Sequence, residues 1–373
     1  MYDAIVVGAR CAGSPTAMLL ARKGYRVLLV DRATFPSDCM RNHFVRQGGI
    51  GQLHKWGLLG RVIASGCPPV RRQIMDLGDF PLSIETPPAG DVDAEYAPRR
   101  IVLDKILVDA AGEAGAEVRE GFSVSEVIVE DGRVTGIKGK SKGGSTVTER
   151  AAIVIGADGQ HSLVAKAVGA PRYNERATLT CGYYSYWSGV PSDALEIFYG
   201  SEPAHVVLAF PTNDDLTCVA VQLPSSRFSA FRLDVERNFM EALDLAPEMA
   251  SRVRAGRREE RFSGTGDLPN FFRKPHGPGW ALVGDAGYHK DPISARGVSD
   301  AMRDAELLSE AVDAGFSGRL PLAEALAEYE RQRNEAARPE YAETLQTASF
   351  RPLPPQVFEG RAALRASLAA AGR

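Results

Sequence analysis

The chain has 373 residues, 44% of them hydrophobic and 24% charged, the make-up of a globular protein large enough for two lobes. Its net charge of -3 argues against a nucleic-acid binder, which needs Lys and Arg in clear excess on one face. No apolar run approaches the ~18 residues of a membrane span, Met1-Tyr2-Asp3 lacks the basic flank of a signal peptide, and the five scattered cysteines (Cys11, Cys39, Cys67, Cys181, Cys218) suggest no disulfide framework, so a reducing cytoplasm is the expected compartment.

Ala4-Ile5-Val6-Val7 is an apolar run bounded by Gly8 and reads as a buried parallel strand. Ser14 to Lys23 carries good helix formers and is closed by Gly24. Arg26 to Val30 is the next buried strand and ends at Asp31. Strand, glycine turn, helix, strand and acid together form the context that a dinucleotide fingerprint requires. The fingerprint is Gly8-Ala9-Arg10-Cys11-Ala12-Gly13, with Arg10 in place of the middle glycine of G-x-G-x-x-G. That glycine normally lets the backbone approach a pyrophosphate closely, and the Arg10 guanidinium can instead pair with a phosphate oxygen. Asp31 stands where a carboxylate accepts hydrogen bonds from an adenosine ribose, as in FAD or NAD.

Further along, Ile74 to Ile84 alternates between prolines, and Arg100-Ile101-Val102-Leu103-Asp104 opens a helix that continues to Ala114. A strand follows at Phe122 to Ser125. Ala151 to Ile155 is a buried strand entering the Gly156-Ala157-Asp158-Gly159 turn, and a helix follows over Leu163 to Val168. Cys181 to Val190 and Ala204 to Leu223 read as strands, the first carrying Tyr183, Tyr184, Tyr186 and Trp187. Ordinary sheet packing is expected for at least two of these four aromatics, and the others can line an aromatic pocket. The charge run Arg252 to Arg261 reads as a solvated helix face. Trp280 to Val283 runs into Gly284-Asp285, and Pro292 to Val298 leads into a helix over Ser299 to Ala314. Leu322 to Ala337 and Arg361 to Ala371 are the last helices expected. The six histidines lack metal-site spacing, and neither C-x-x-C nor G-x-S-x-G occurs.

Four features in this order (the fingerprint, the Arg-x-x-Leu-Asp helix at Arg100, the Asp-Gly turn at Asp158 and the Gly-Asp turn at Gly284) resemble the flavoprotein monooxygenase superfamily. This group comprises the para-hydroxybenzoate hydroxylase-like, glutathione-reductase-type FAD proteins, to which flavin halogenases and geranylgeranyl reductases are related. The resemblance covers roughly residues 1 to 340. It implies an α/β chain with a Rossmann-type FAD-binding domain in three pieces, 1–67, 99–172 and 271–340. A mostly antiparallel sheet domain for the substrate, 68–98 and 173–270, is interleaved and roofs the flavin, and C-terminal helices and an extension over 341–373 complete the chain. FAD is expected to be held noncovalently. The implied cofactor-binding residues are Gly8, Arg10, Cys11, Ala12 and Gly13 at the pyrophosphate, with Asp31 and Arg32 at the adenosine ribose. Arg100 is implied at the ribityl or phosphate region, Val124 at the adenine through its backbone, and Gly284 and Asp285 at the ribityl or pyrophosphate. Pro292, Gly297 and Val298 are implied at the flavin ring, where a helix N-terminus favours the negative charge of reduced flavin. Asp158 is linked in this group to FAD and nicotinamide nucleotide, and it equally reads as a turn-forming Asp-Gly pair. His43, Arg46 and Gln47 follow the second strand, where related enzymes place residues near the ring. His43, Arg46 and His289 are the candidates for catalysis.

The chain departs from the hydroxylase pattern after Gly284, where Asp291-Pro292 is closer to the halogenase and prenyl-reductase branch, yet the halogenase G-W-x-W-x-I-P motif is absent. The expected reaction is monooxygenation of an apolar or aromatic small molecule through a flavin C4a-hydroperoxide. NADH or NADPH, or a separate flavin reductase, is the expected source of electrons. The alternatives are a dehydrogenase or double-bond reductase, and a noncatalytic flavin-binding scaffold.

Overall fold

A computed structural model describes every residue except 40–42, 89, 202–203, 353 and 371–373. The chain divides into two compact units: Met1–Ser65, Pro98–Ala177 and Pro269–Ala342 form the first, and Gly66–Ala97, Thr178–Leu268 and Glu343–Arg373 form the second.

The first unit is built on a parallel sheet in the spatial order Trp280–Leu282, Val147–Gly156, Tyr2–Val7, Val27–Val30, Glu117–Arg119. His276–Gly277 adds an antiparallel edge, and the Phe122–Glu130 and Arg133–Ser141 hairpin pairs with the start of Val147–Gly156. Ile5, Leu28, Val154 and Leu282 are fully buried, which is why these strands read as unbroken apolar runs rather than as alternation. Helices Gly13–Arg22, Arg100–Glu113 and Gly297–Phe316 belong to this unit. The Gly297 helix is longer at both ends than the sequence pattern suggests. The next helix, Leu322–Ala348, also outruns its expected end and passes through Pro339.

The second unit is a sheet with strand order Arg257–Arg258, Thr180–Ser188, Thr217–Pro224, Ala204–Pro211, Leu195–Ser201, Arg72–Asp76, Leu82–Glu85. Every pair is antiparallel except Leu195–Ser201 with Arg72–Asp76. One face buries Tyr183, Trp187, Val207, Val219 and Val221 against Phe231, Phe239, Met249 and Val253 of short helices. Tyr183 stacks on Phe231 and Trp187 on Phe239, so these two aromatics are core. Tyr184 and Tyr186 point to the other face and meet edge to face, with centroids 5.8 Å apart. The run from Arg252 to Arg261 is only partly a helix face. The helix stops at Ala255, Arg257–Arg258 pairs with the sheet edge, and Arg252 reaches Glu196. The helix Pro355–Ala370 docks on this unit through Arg361, which donates to Asp79 and to the Met75 and Phe80 carbonyls. Among the described residues no helix is long and apolar enough to cross a membrane.

Candidate functional site

Register builds the site. Val7 pairs with Val30 on one side and Gly156 on the other, and Gly156 pairs with Leu282. The residues that follow (Gly8, Asp31, Ala157 and Val283) therefore leave the sheet together at its carboxyl edge. The sheet order reverses between Tyr2–Val7 and Val147–Gly156, so this is the switch point at which open α/β sheets bind ligands.

The turn at this edge tolerates no side chain on its outer glycines. Gly8 has φ +104°, and a Cβ there would lie 2.4 Å from the Ala157 carbonyl oxygen. A Cβ on Gly13 would lie 1.8 Å from the Gly8 carbonyl oxygen. The turn is thus folded back on itself, and the Gly13–Arg22 helix starts directly from it, with no acidic residue in its first turn. Ser14 N already donates to the Arg10 carbonyl (3.0 Å), and the end of the helix that carries positive potential faces the turn, as at an anion-binding helix start. Asp31 holds the same turn, its carboxylate accepting from Ala9 N (2.7 Å) and Ala33 N (2.8 Å). Arg32 follows it on an exposed stretch.

Arg10 is not turned outward toward a ligand. It donates to Asp104 and to Ser37 Oγ (3.1 Å). Asp104 is fully buried and also receives Arg100 through Nε (3.1 Å) and Nη2 (2.9 Å), and the Cys11 thiol lies 3.4 Å away. Two guanidiniums on one buried carboxylate leave this cluster with net positive charge beside the glycine turn, which suits a pyrophosphate even though Arg10 is anchored sideways.

The second half of the edge comes from residues 284 to 301. Gly284 has φ +60°, and a Cβ there would meet Ala12 at 2.7 Å and Ala301 at 3.6 Å, so it locks the glycine turn to the Gly297 helix. Pro292 opens a short 3-10 turn that Asp291 caps by accepting from Ile293 N. Ala295 then takes a left-handed conformation, and the Gly297–Phe316 helix begins, with Val298 buried. Arg46 and Gln47 start the Gln47–Lys55 helix, and Arg46 N donates to Ser299 Oγ (3.1 Å), which brings the two helix starts together. Gly284, Asp285, Gly297 and Ala301 line one recess with Tyr288, Lys290 and Asp300. His43 is buried just beyond the undescribed residues 40–42. His289 donates from Nδ1 to the Pro269 carbonyl and stacks on Phe271, so its ring is engaged in the strand pairing that carries it. Val124 lies at a register shift of the Phe122–Glu130 strand and is partly buried.

Asp158 turns inward. Its Oδ2 accepts from Leu163 N (2.6 Å) and Val164 N (3.3 Å), capping the Leu163–Ala167 helix, and burial raises its pKa. Beside it opens a cleft lined by Gln160, His161, Lys166, Arg172, Arg273 and Glu175, the last lying 3.5 Å from Arg172, so that cationic side chains outnumber the acid. Arg273 is buried and donates to the Ala286 (2.9 Å) and Gln160 (3.2 Å) carbonyls. Arg172 and Arg273 both stand over the Phe271 ring, at 4.3 and 4.5 Å. Burial, then Arg172, lowers the Arg273 pKa. No sequence motif announces this cationic cleft, because Arg172 and Arg273 meet only by pairing across two strands about a hundred residues apart.

An extended, diphosphate-bearing flavin fits this edge. There is a helix N-terminus without a competing acid, a cationic cluster at Asp104, an acid at the end of the second strand, Asp31, that holds the glycine turn, and a second helix start at Gly297 where a Cβ would meet nothing within 4 Å. Comparison with known proteins points the same way. The chain is 29% identical over 88% of its length to tryptophan 2-halogenase of Chondromyces crocatus, of which it spans 64%. It is 27% identical over 90% of its length to digeranylgeranylglycerophospholipid reductase of Methanocella arvoryzae, of which it spans 83%. Among solved structures, the myxobacterial chondrochloren halogenase superposes with a TM-score of 0.85 at 22% identity, covering 100% of this chain and 90% of that one. A Pseudomonas aeruginosa protein described as a probable FAD-dependent monooxygenase superposes with a TM-score of 0.80 at 20% identity, covering 93% and 96%. The FAD binding domain model matches residues 1–343, and the chain belongs to that family of FAD-dependent flavoproteins.

Proposed function

We propose that this chain is a monooxygenase acting on an apolar or aromatic small molecule. The observation that carries the reading is the apolar make-up of the second unit's sheet face opposite its short helices, where Tyr186, Cys218 and Phe210 are buried. Cross-strand pairing puts Tyr184, Ala220, Leu208, Ile197 and Met75 in one row and Tyr186, Cys218 and Phe210 in the next. No charged side chain stands in either row, and Gln222, bonded to Thr180, supplies polarity at one end. A surface of this kind favours an uncharged, flat ligand.

The overall reaction joins substrate, O2 and NAD(P)H with a proton to give hydroxylated product, NAD(P)+ and water. FAD, when bound, supplies the redox chemistry. The chain's own residues bind and orient. Gly8 to Gly13 and the Arg10–Asp104–Arg100 cluster would hold the pyrophosphate, Asp31 the ribose, Asp285 the ribityl chain, and the first turn of the Gly297 helix the negatively charged edge of the reduced ring. NADH or NADPH as reductant is supported by the cleft at His161, Lys166, Arg172 and Arg273, whose positive charge suits nucleotide phosphates. Delivery of electrons by a separate flavin reductase is the alternative source.

The experiment is turnover of FAD-loaded protein with NADPH, NADH or chemical reductant under isotopically labelled O2, against a panel of phenols, indoles and prenyl chains. One labelled oxygen in the product is expected. A second reading, double-bond reduction, is favoured by the geranylgeranyl-type reductases among the relatives. An unlabelled product two hydrogens heavier, formed equally well without O2, would establish that reading instead.

A further inference from the structure

The recess framed by Gly284, Asp285 and Gly297 also contains a buried ion pair that the resemblance does not account for. Lys290 Nζ lies 2.7 Å from Asp300 and 3.1 Å from Glu340, and the Lys290 and Asp300 side chains are 4% and 8% exposed. Asp300 sits in the first turn of the Gly297 helix, the end that otherwise presents positive potential to the recess. Its carboxylate cancels part of that potential. Lys290 in turn cancels the carboxylate.

Other charged groups join this pair. Arg303 donates to Asp300 and Asp304, and to Tyr288 Oη at 3.3 Å. Arg296 takes the other Glu340 oxygen at 2.6 Å. Burial is the largest single influence on the Asp300 carboxyl and raises its pKa, but Lys290, then Arg303, together outweigh it and hold the pKa below the ordinary value, so the acid stays ionised. A fixed pair of opposite charges at the wall of a poorly solvated recess acts strongly on any charge that develops inside it.

We propose that the Lys290–Asp300 pair sets the electrostatic potential of the flavin recess and thereby the reduction potential of bound FAD. Two-electron reduction adds two electrons and one proton to the ring and leaves it with one net negative charge. Lys290 favours that charge and Asp300 opposes it. This inference rests on the proposed placement of the flavin ring at the first turn of the Gly297 helix, with its ribityl chain at Asp285.

The test is the two-electron midpoint potential of the FAD-loaded full chain, titrated with dithionite and a reference dye, together with FAD affinity. Lys290→Met should weaken reduced against oxidised flavin by about tenfold, a drop of ~30 mV. Asp300→Asn should raise the potential by a similar amount, and the K290M/D300N double variant should return near the parent. Where K290M alone does not fold, the double variant measured against D300N isolates Lys290, because neither leaves a lone buried carboxylate. Shifts of both single variants in the same direction, or no shift for K290M, would overturn the proposal. Asp285→Ala separates the two claims. It should weaken FAD binding, and if it does not, the flavin lies elsewhere. If D285A weakens binding while K290M keeps the parent potential, the pair has no tuning role.

Discussion

Asp313 shows how single residues hold the first unit together. Burial pushes its carboxyl pKa up, but hydrogen bonds from Tyr25, Arg319 and Lys23 outweigh this and hold it at about 2. A carboxyl held below its unfolded value of ~3.9 stabilises the fold above that pH and loses the contribution as pH falls toward its folded value. Asp313→Asn should therefore lower Tm at neutral pH, and the gap from the parent should narrow below pH ~4. A gap that stays constant through acid would contradict the assignment. At this scale the sequence is legible only where partners are close along the chain. The Arg100–Asp104 pair is a four-residue helical spacing visible in the motif itself. Arg10 reaching the same carboxylate is not, because nothing local in residues 8 to 13 specifies a partner 94 positions away. The same limit hides the Arg172 and Arg273 cleft. It also hides the His289 contact, since the Pro269 carbonyl that accepts from its Nδ1 lies 20 residues away.

Among the elements, the glycine turn and the helix it starts were legible because their requirements are backbone requirements. Gly13→Ala would force a Cβ to within 1.8 Å of a carbonyl oxygen, so it should cost about 2 kcal/mol or more in stability and abolish FAD retention on gel filtration. Gly51→Ala is the contrasting case. Gly51 lies inside the Gln47–Lys55 helix, where a Cβ meets nothing within 4 Å, and the change should stabilise by about 0.4–1 kcal/mol in denaturant unfolding. Element ends were less legible. The Leu322 helix continues to Ala348 through Pro339, which the pattern does not anticipate, because Arg333 anchors this stretch. Fully buried, it donates to the Gly287 and Arg273 carbonyls and to Tyr173 Oη. The C-terminal helix was visible as a helix but its docking was not, since Asp79 lies 282 residues before Arg361. Hydrogen bonds of Arg361 to Asp79 lower the acid's pKa, as expected for a formed pair. Arg361→Ala should raise amide exchange across residues 355–370, and unchanged exchange would show that the helix is held by other contacts.

For the molecule as a whole, the alternation of strand and helix signals announced a parallel sheet, and the aromatic alternation after Cys181 announced an antiparallel one. Both are present. Which aromatics face the core could not be read from alternation alone, because period two gives two faces without saying which one the helices cover. Tyr183 and Trp187 are covered, and Tyr184 and Tyr186 are not part of that core. The cationic cleft supplies a prediction at this scale. The K166A/R172A double variant should raise KM for NADPH by tenfold or more with a smaller change in kcat, since the two charges act on binding rather than on the reacting ring. An unchanged KM would favour electron delivery by a separate reductase.

The most direct test of the account is FAD binding by the purified chain, followed by its visible absorbance and by titration of the colourless protein with FAD, with G13A alongside. The parent chain should take up one FAD per chain, with the resolved visible bands of a flavin held in a protein site, and G13A should not. A parent chain that cannot be loaded with FAD, or a G13A variant that binds it as tightly, would contradict the placement of the cofactor at the edge built by Gly8, Asp31 and Gly284.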